Sequence, residues 1–179
     1  MDLQGRSILL TGGGSGIGRS LALRLADKEV RLTLVGRRRK PLEEVAAQVR
    51  AAGSQVHVVD VDLTHPGSPG DVVARATEAF GSLDVLVNNA GNVRAGRLEQ
   101  VAEQDILAQV ALNLTAPLLL TRAALPALRA SGDGLVVVIS SGIGLIGLPF
   151  TPPMRQPRPA SHTSRNRCAA SSTARACRF

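Results

Sequence analysis

The chain has 179 residues, 44% of them hydrophobic, with three phenylalanines, no tyrosine or tryptophan, and a formal net charge of +7. That length allows one domain with a sizeable core. Residues 150–179 hold six arginines and no acid, which leaves 15 basic against 14 acidic side chains in residues 1–149, so the basic character belongs to a tail and does not mark a nucleic-acid-binding surface. Both cysteines, Cys168 and Cys177, lie in that tail, and the body has neither a disulfide framework nor a metal-ligand spacing. The start, Met1-Asp2-Leu3-Gln4-Gly5, does not read as a secretion signal, and no apolar run approaches membrane-spanning length. The expectation is a cytoplasmic protein with no nucleic-acid or membrane partner.

In chain order, Ser7 to Thr11 is a short apolar run that turns through Gly12, Gly13, Gly14, Gly16 and Gly18 into an amphipathic segment from Arg19 to Asp27. Strand, tight turn and helix start explain that pattern, and free N–H groups at a helix start attract phosphate. A purely structural turn fits it as well. Val30 to Gly36 is a second β-rich run, followed by Arg37-Arg38-Arg39-Lys40 and a helix opened by Pro41 that runs to about Arg50. Gln55 to Asp62 reads as the third strand, residues 65–70 as turn, and Asp71 to Phe80 as a helix. Leu83 to Val87 is the fourth strand, stopped by Asn88-Asn89-Ala90-Gly91. A helix from roughly Glu103 into Leu114 is interrupted or restarted at Pro117 and reaches about Arg129; Gly134 to Ser141 is the fifth strand.

Short apolar strands alternating with longer helices predict an α/β fold, a doubly wound parallel sheet of Rossmann type with helices on both faces. Ligands of such sheets sit beyond the carboxyl ends of the strands. Every unusual residue falls at one of those ends: the glycine turn, Arg37, Asp62, Asn88 to Gly91, and Ser140-Ser141.

Thr11-Gly12-Gly13-Gly14-Ser15-Gly16-Ile17-Gly18 matches a Thr-Gly-x-x-x-Gly-x-Gly cofactor turn, and Asn88-Asn89-Ala90-Gly91 matches an Asn-Asn-Ala-Gly motif. With Asn113 and Ser141 in order behind them, residues 5–149 resemble the short-chain dehydrogenase/reductases of classical type. The resemblance implies a dinucleotide-binding Rossmann domain over 1–149 and reversible hydride transfer between the nicotinamide and an alcohol or carbonyl carbon. It implies that Thr11, Gly12, Gly14, Ser15, Gly16, Ile17 and Gly18 hold the pyrophosphate end of the cofactor. Asp62 would accept from the adenine amine with Leu63 beside the base, although strand termination and helix entry also account for this pair. Asn88, Asn89, Ala90 and Gly91 would hold the central strand ends and pass the cofactor ribose. Ser141 would hydrogen-bond the substrate oxygen, and Asn113 would help hold a proton-relay water. Homo-oligomers formed through the helices after the fourth and fifth strands are also implied, but the second of these helices is missing here.

Cofactor choice turns on the end of the second strand, where an acid selects NAD and positive charge suits the 2′-phosphate of NADP. Gly36 is followed by Arg37 and Arg38, so NADP is expected, with Arg37 as the contact and NAD as the alternative if Arg37 to Lys40 is only a solvated charge run.

The pattern then breaks. The family's Tyr-x-x-x-Lys pair would begin thirteen residues after the serine, but those positions hold Met154 and Arg158, and residues 150–179 lack helical periodicity. They read as a non-family, basic, disordered tail. Permitted codons for Pro153 to Phe179, read from the third base of the first codon, spell Tyr-Ala-Ala-Ala-Lys-Ala-Gly-Ile-Ala-His-Phe-Ala-Glu-Ser-Leu and an amphipathic continuation, with tyrosine at position 154 and lysine at 158. The expectation is one nucleotide lost at or just before codon 153, with the fifth strand left as an open edge and proton transfer impaired.

Overall fold

The computed structural model describes residues 2–141 and the backbone of residues 168–170 and 174–178. Met154, Arg158 and most of the expected tail lie outside the described residues. Five parallel strands alternate with helices: β1 (Ser7–Thr11), α1 (Gly16–Leu25), β2 (Arg31–Gly36), α2 (Arg39–Ala51), β3 (Gln55–Asp60), α3 (Ser68–Phe80), β4 (Val85–Asn88), α4 (Glu103–Val110), α5 (Ala116–Ala130) and β5 (Leu135–Ile139). Two further strands, β6 (Cys168–Ala170) and β7 (Ala174–Arg178), complete a sheet of order β3-β2-β1-β4-β5-β7-β6.

Side-chain alternation along β1 divides the core in two. Ile8 and Leu10 pack with Leu32, Leu34 and Val87 beneath Ala22 of α1 and Leu42, Val45 and Val49 of α2. Leu9 points the other way, with Val35, Val59 and Leu86, against Val72 and Ala76 of α3 and Leu120, Ala124 and Leu128 of α5. Each fully buried leucine or valine contributes roughly 1.5–3 kcal/mol relative to exposure, so this doubly covered centre dominates the stability. Thr11 and Asn88 close the carboxyl ends of β1 and β4. The strand order reverses direction there, which opens a crevice between the two ends.

Three expectations change. Residues 68–70, expected as turn, form the first turn of α3, because Pro69 supplies a helix-ready φ just inside the helix while Gly67 takes a positive φ of 86° before it. Pro117 does not break its helix. Glu103–Ala130 runs as one 28-residue helix, long and apolar enough to cross a membrane by length and composition, contrary to the expectation that no segment approaches that length. A π-helical segment over Ala111–Thr115 carries it past Pro117. Ala116, Leu120, Ala124 and Leu128 are buried in the α3-side core at four-residue intervals, so one stripe of this helix serves as a sheet-covering layer.

The edge of β5 is not open, either. β7 pairs antiparallel with it from Leu135↔Arg178 to Ile139↔Ala174, and β6 pairs with β7 in turn. These segments, expected as disordered tail, take strand form because an uncovered edge offers a full row of unpaired N–H and C=O groups.

Candidate functional site

The crevice begins with backbone. Gly12 and Gly16 have φ of 69° and 51°, conformations in which a Cβ is strained. A Cβ at Gly18 would fall on the carbonyl oxygen of Gly12, and one at Gly14 would come within 3.3 Å of Leu42 N. The turn therefore folds back on itself and lies against the start of α2, with no room for a Cβ at Gly18 and little at Gly14. Ser15 occupies the N-cap of α1 in an extended conformation and makes no side-chain capping bond, so the N–H groups of the first turn keep their capacity for an anion. Ile17, in that first turn, is 64% exposed.

Thr11 ties this turn to the end of β4. Its hydroxyl donates to the carbonyl of Val87 (3.2 Å) and accepts from the N–H groups of Asn89 and Ala90 (both 2.9 Å). Asn89 returns the link by donating from Nδ2 to the carbonyl of Thr11 at 2.8 Å. Asn88, buried, instead donates to the Thr121 hydroxyl at 3.0 Å and fastens β4 to α5. The Thr11–Asn89 exchange joins residues 78 positions apart and has no local signal in the sequence.

Gly12, Gly14, Ser15, Ala90 and Gly91 line one side of a cleft that holds about 660 Å³ of empty space open to solvent. Arg37, Arg38, Asp62 and Leu63 line the other, so most of the expected cofactor residues converge on one cleft. Pro41, Leu42, Val61 and Leu112 share the lining and were not singled out from sequence. Leu63 is a core residue packed among the α3-side cluster, and only its edge reaches the cleft.

The charge here is arranged. Burial would push the Asp62 carboxyl up, but the N–H and hydroxyl of Thr64, at 2.9 and 2.7 Å on Oδ1, together with Arg37 and His65, outweigh it and hold the group below the usual carboxylate range. Arg37 approaches the other oxygen, Oδ2, at 3.8 Å and is 68% exposed. Arg39, by contrast, is engaged by Asp60 (3.1 Å) and Glu43 (3.2 Å). The basic run is thus divided: Arg37 and Arg38 face the cleft while Arg39 braces α2.

On the far side, Asn113 sits within the π-helical segment. Both ends of its amide are spent on Asn92, with Oδ1 accepting from the N–H at 2.9 Å and Nδ2 donating to the carbonyl at 2.7 Å. The residue expected to help hold a proton-relay water spends its amide as a clamp on the loop after β4. Asn113 Oδ1 also lies 3.2 Å from where a Cβ at Gly91 would stand, so the requirement for glycine there includes this clamp. Buried Gln109 extends the clamp by accepting from the Arg94 N–H at 3.1 Å. Ser140 and Ser141 follow β5 directly, at the same carboxyl rim.

Residues 6–153 match the short chain dehydrogenase family. The chain belongs to that family. It is 33% identical over 149 residues to an uncharacterized oxidoreductase of Thermotoga maritima, covering 83% of this chain and 59% of that one. It is 36% identical over 143 residues to the 2,5-dichloro-2,5-cyclohexadiene-1,4-diol dehydrogenase LinX of Sphingobium indicum, covering 80% and 57%. Its fold matches an alcohol dehydrogenase from the archaeon Thermococcus sibiricus, complexed with 5-hydroxy-NADP, with a TM-score of 0.80 and 28% identity over 84% of this chain and 64% of that one. The chain spans less than two thirds of the length of each of these relatives.

Proposed function

We propose that residues 1–149 form the cofactor-binding domain of a cytoplasmic NADP(H)-dependent oxidoreductase acting on an alcohol or carbonyl substrate, and that turnover by this chain is impaired. The observation that carries the reading is the side-chain-free cradle of Gly12, Gly14 and Gly18 at the crevice between β1 and β4, with the start of α1 directly behind it. When bound, the dinucleotide supplies or accepts the hydride.

This chain's residues then have separate tasks. The turn from Thr11 to Gly18, with Asn89, Ala90 and Gly91, holds the pyrophosphate and ribose. Asp62 accepts from the adenine amine. Arg37, whose ion pair with Asp62 is long, turns its guanidinium fork to the 2′-phosphate beside Arg38; the NADP analogue held by the Thermococcus relative agrees with this choice. Ser141 hydrogen-bonds the substrate oxygen, and Asn113 helps hold a relay water. Met154 has no proton to transfer where the family places tyrosine, and Arg158 stands in place of lysine. The family match stops at residue 153, which fits a reading register slipped at that codon. A second copy would pack on the outward apolar face formed by Leu107, Val110, Leu118 and Leu119.

A second reading, a non-catalytic dinucleotide-binding remnant, is favoured by the same intact cradle and altered residues 154 and 158. Thermal unfolding with NADP and NAD, alongside NADPH oxidation with a panel of carbonyl compounds, tests both readings. Protection by NADP greater than by NAD, with turnover far below that of intact relatives, is expected. Full turnover despite Met154, or no protection by either dinucleotide, overturns the proposal, and complete absence of turnover selects the remnant.

A further inference from the structure

The outer hairpin brings the chain's two cysteines into register. Cys168 is the Cα partner of Cys177 in the antiparallel pair of β6 and β7, with Ala169↔Ala176 and Ala170↔Arg175 beside it. Directly opposed residues of an antiparallel pair share a face, with Cα atoms about 4.5–5.5 Å apart. That separation falls inside the roughly 4.4–6.8 Å that a disulfide spans. Arg167 precedes Cys168, and Arg175 and Arg178 flank Cys177 in sequence. Cationic neighbours favour the thiolate, which is the form that reacts.

We propose that Cys168 and Cys177 form a reversible disulfide that ties β6 to β7 and so holds β7 in the position in which it pairs with β5, a reading independent of the cofactor and substrate assignments above. The oxidant is a low-molecular-weight disulfide such as oxidised glutathione. One cysteine thiolate attacks it, forming a mixed disulfide and releasing one glutathione thiolate. The second cysteine thiolate then attacks the protein sulfur of that mixed disulfide, the new S–S bond forms and the second glutathione leaves. Two cysteine thiols are oxidised and one glutathione disulfide is reduced to two thiols. β7 covers the whole of β5, and Ser141 stands two residues beyond Ile139, so the bond fixes the strand that presents the candidate catalytic serine.

The full-length chain is reduced, equilibrated with glutathione buffers of stepped ratio, and mapped by mass spectrometry of non-reduced digests, with amide hydrogen exchange followed in parallel. Monomers should yield a linked Cys168–Cys177 peptide pair about 2 Da lighter than the reduced pair. The amides of Leu135–Ile139 should exchange about tenfold or more slowly once the link has formed. In Cys168→Ser and Cys177→Ser the remaining cysteine should stop at the glutathione adduct, and the slowing should vanish. Adducts on both cysteines of the unaltered chain, links only between chains, or a link that leaves β5 exchange unchanged each overturn the proposal.

Discussion

β1 and β5 both end at the candidate site but are built differently. All five residues of β1 are buried, with β2 and β4 on either side and helices on both faces. In β5 only Val136 is fully buried, Val138 is 38% exposed, and the neighbour on its far edge comes from beyond residue 153, where the family match ends. The side at β1 is therefore held by packing within the family-matched residues, whereas the side that bears Ser141 leans on a strand from beyond the match. The proposed binding and chemistry rest on separable parts of this molecule, so each should be breakable without the other.

The largest effect should come from repairing the weaker side. Replacing residues from position 154 onward by the Tyr-Ala-Ala-Ala-Lys continuation spelled in the shifted register should raise carbonyl reduction by about 10²–10⁴ or more, the contribution usual for a positioned acid–base group. NADP protection of the unrepaired chain should already be present. Steady-state NADPH oxidation checks the first statement and thermal unfolding the second; equal turnover before and after repair would show that the missing groups do not limit the chemistry.

Breaking the stronger side comes next. In Gly18→Ala the new methyl meets the Gly12 carbonyl and Asn89 Nδ2, groups fixed by the bonds that join β1 to β4. Overpacking of this kind costs about 1–3 kcal/mol, and a fall of about 3–10 °C in Tm should follow. Protection by NADP should disappear as well. Retained protection would mean that the cradle does not hold the pyrophosphate.

A sharper cut separates the two dinucleotides. Arg37→Glu removes the fork and places a carboxylate beside Asp62, so NADP affinity should fall about 10- to 100-fold, the worth of one or two charge-assisted hydrogen bonds. NAD affinity should hold or rise. Titration of both dinucleotides decides this, and equal losses would reduce Arg37 to a solvated charge.

Much of this was legible because the signals are local. Val and Leu runs bounded by glycine read as strands, and the two motifs at the ends of β1 and β4 identified the crevice before any geometry was known. What was not legible depends on partners distant in sequence. Asn113 was located correctly on its helix, but its amide points to Asn92, which no spacing rule reports. The Thr11 hydroxyl looked like one member of a glycine motif and proves to satisfy three backbone groups at the end of β4. Pro117 read as either interrupting its helix or starting its last segment; the second holds, with Pro117 in the first turn of α5, while the π-helical turn just before it was not foreseen. The pairing of β7 with β5 was invisible for a different reason: strand edges recruit through backbone, which carries no side-chain pattern.

The smallest effect lies within the well-packed half, at His57. It stands opposite Thr33 in the β2–β3 register, on the α3 side of the sheet, and its Nε2 and the Thr33 hydroxyl are both buried without a hydrogen-bond partner. Burial pushes the imidazole below its ordinary value of 6.5, and Arg75 and Arg50 add to the effect against a weaker pull from Glu78. The folded chain therefore takes up this proton less readily than the unfolded chain. Above about pH 6.5 neither state is protonated at this residue and stability should be level; as pH falls below that value the unfolded state is protonated first and stability should decline. Asp62, also depressed, acts only when pH falls through the carboxylate range near and below 3.8, so the two do not overlap. Urea midpoints at pH 8 and pH 5.5 should show a modest loss in the native chain and a smaller one in His57→Val, which also removes the unpartnered nitrogen. A midpoint that rises on acidification, or an undiminished loss in the variant, would place the pH sensitivity elsewhere in the sheet.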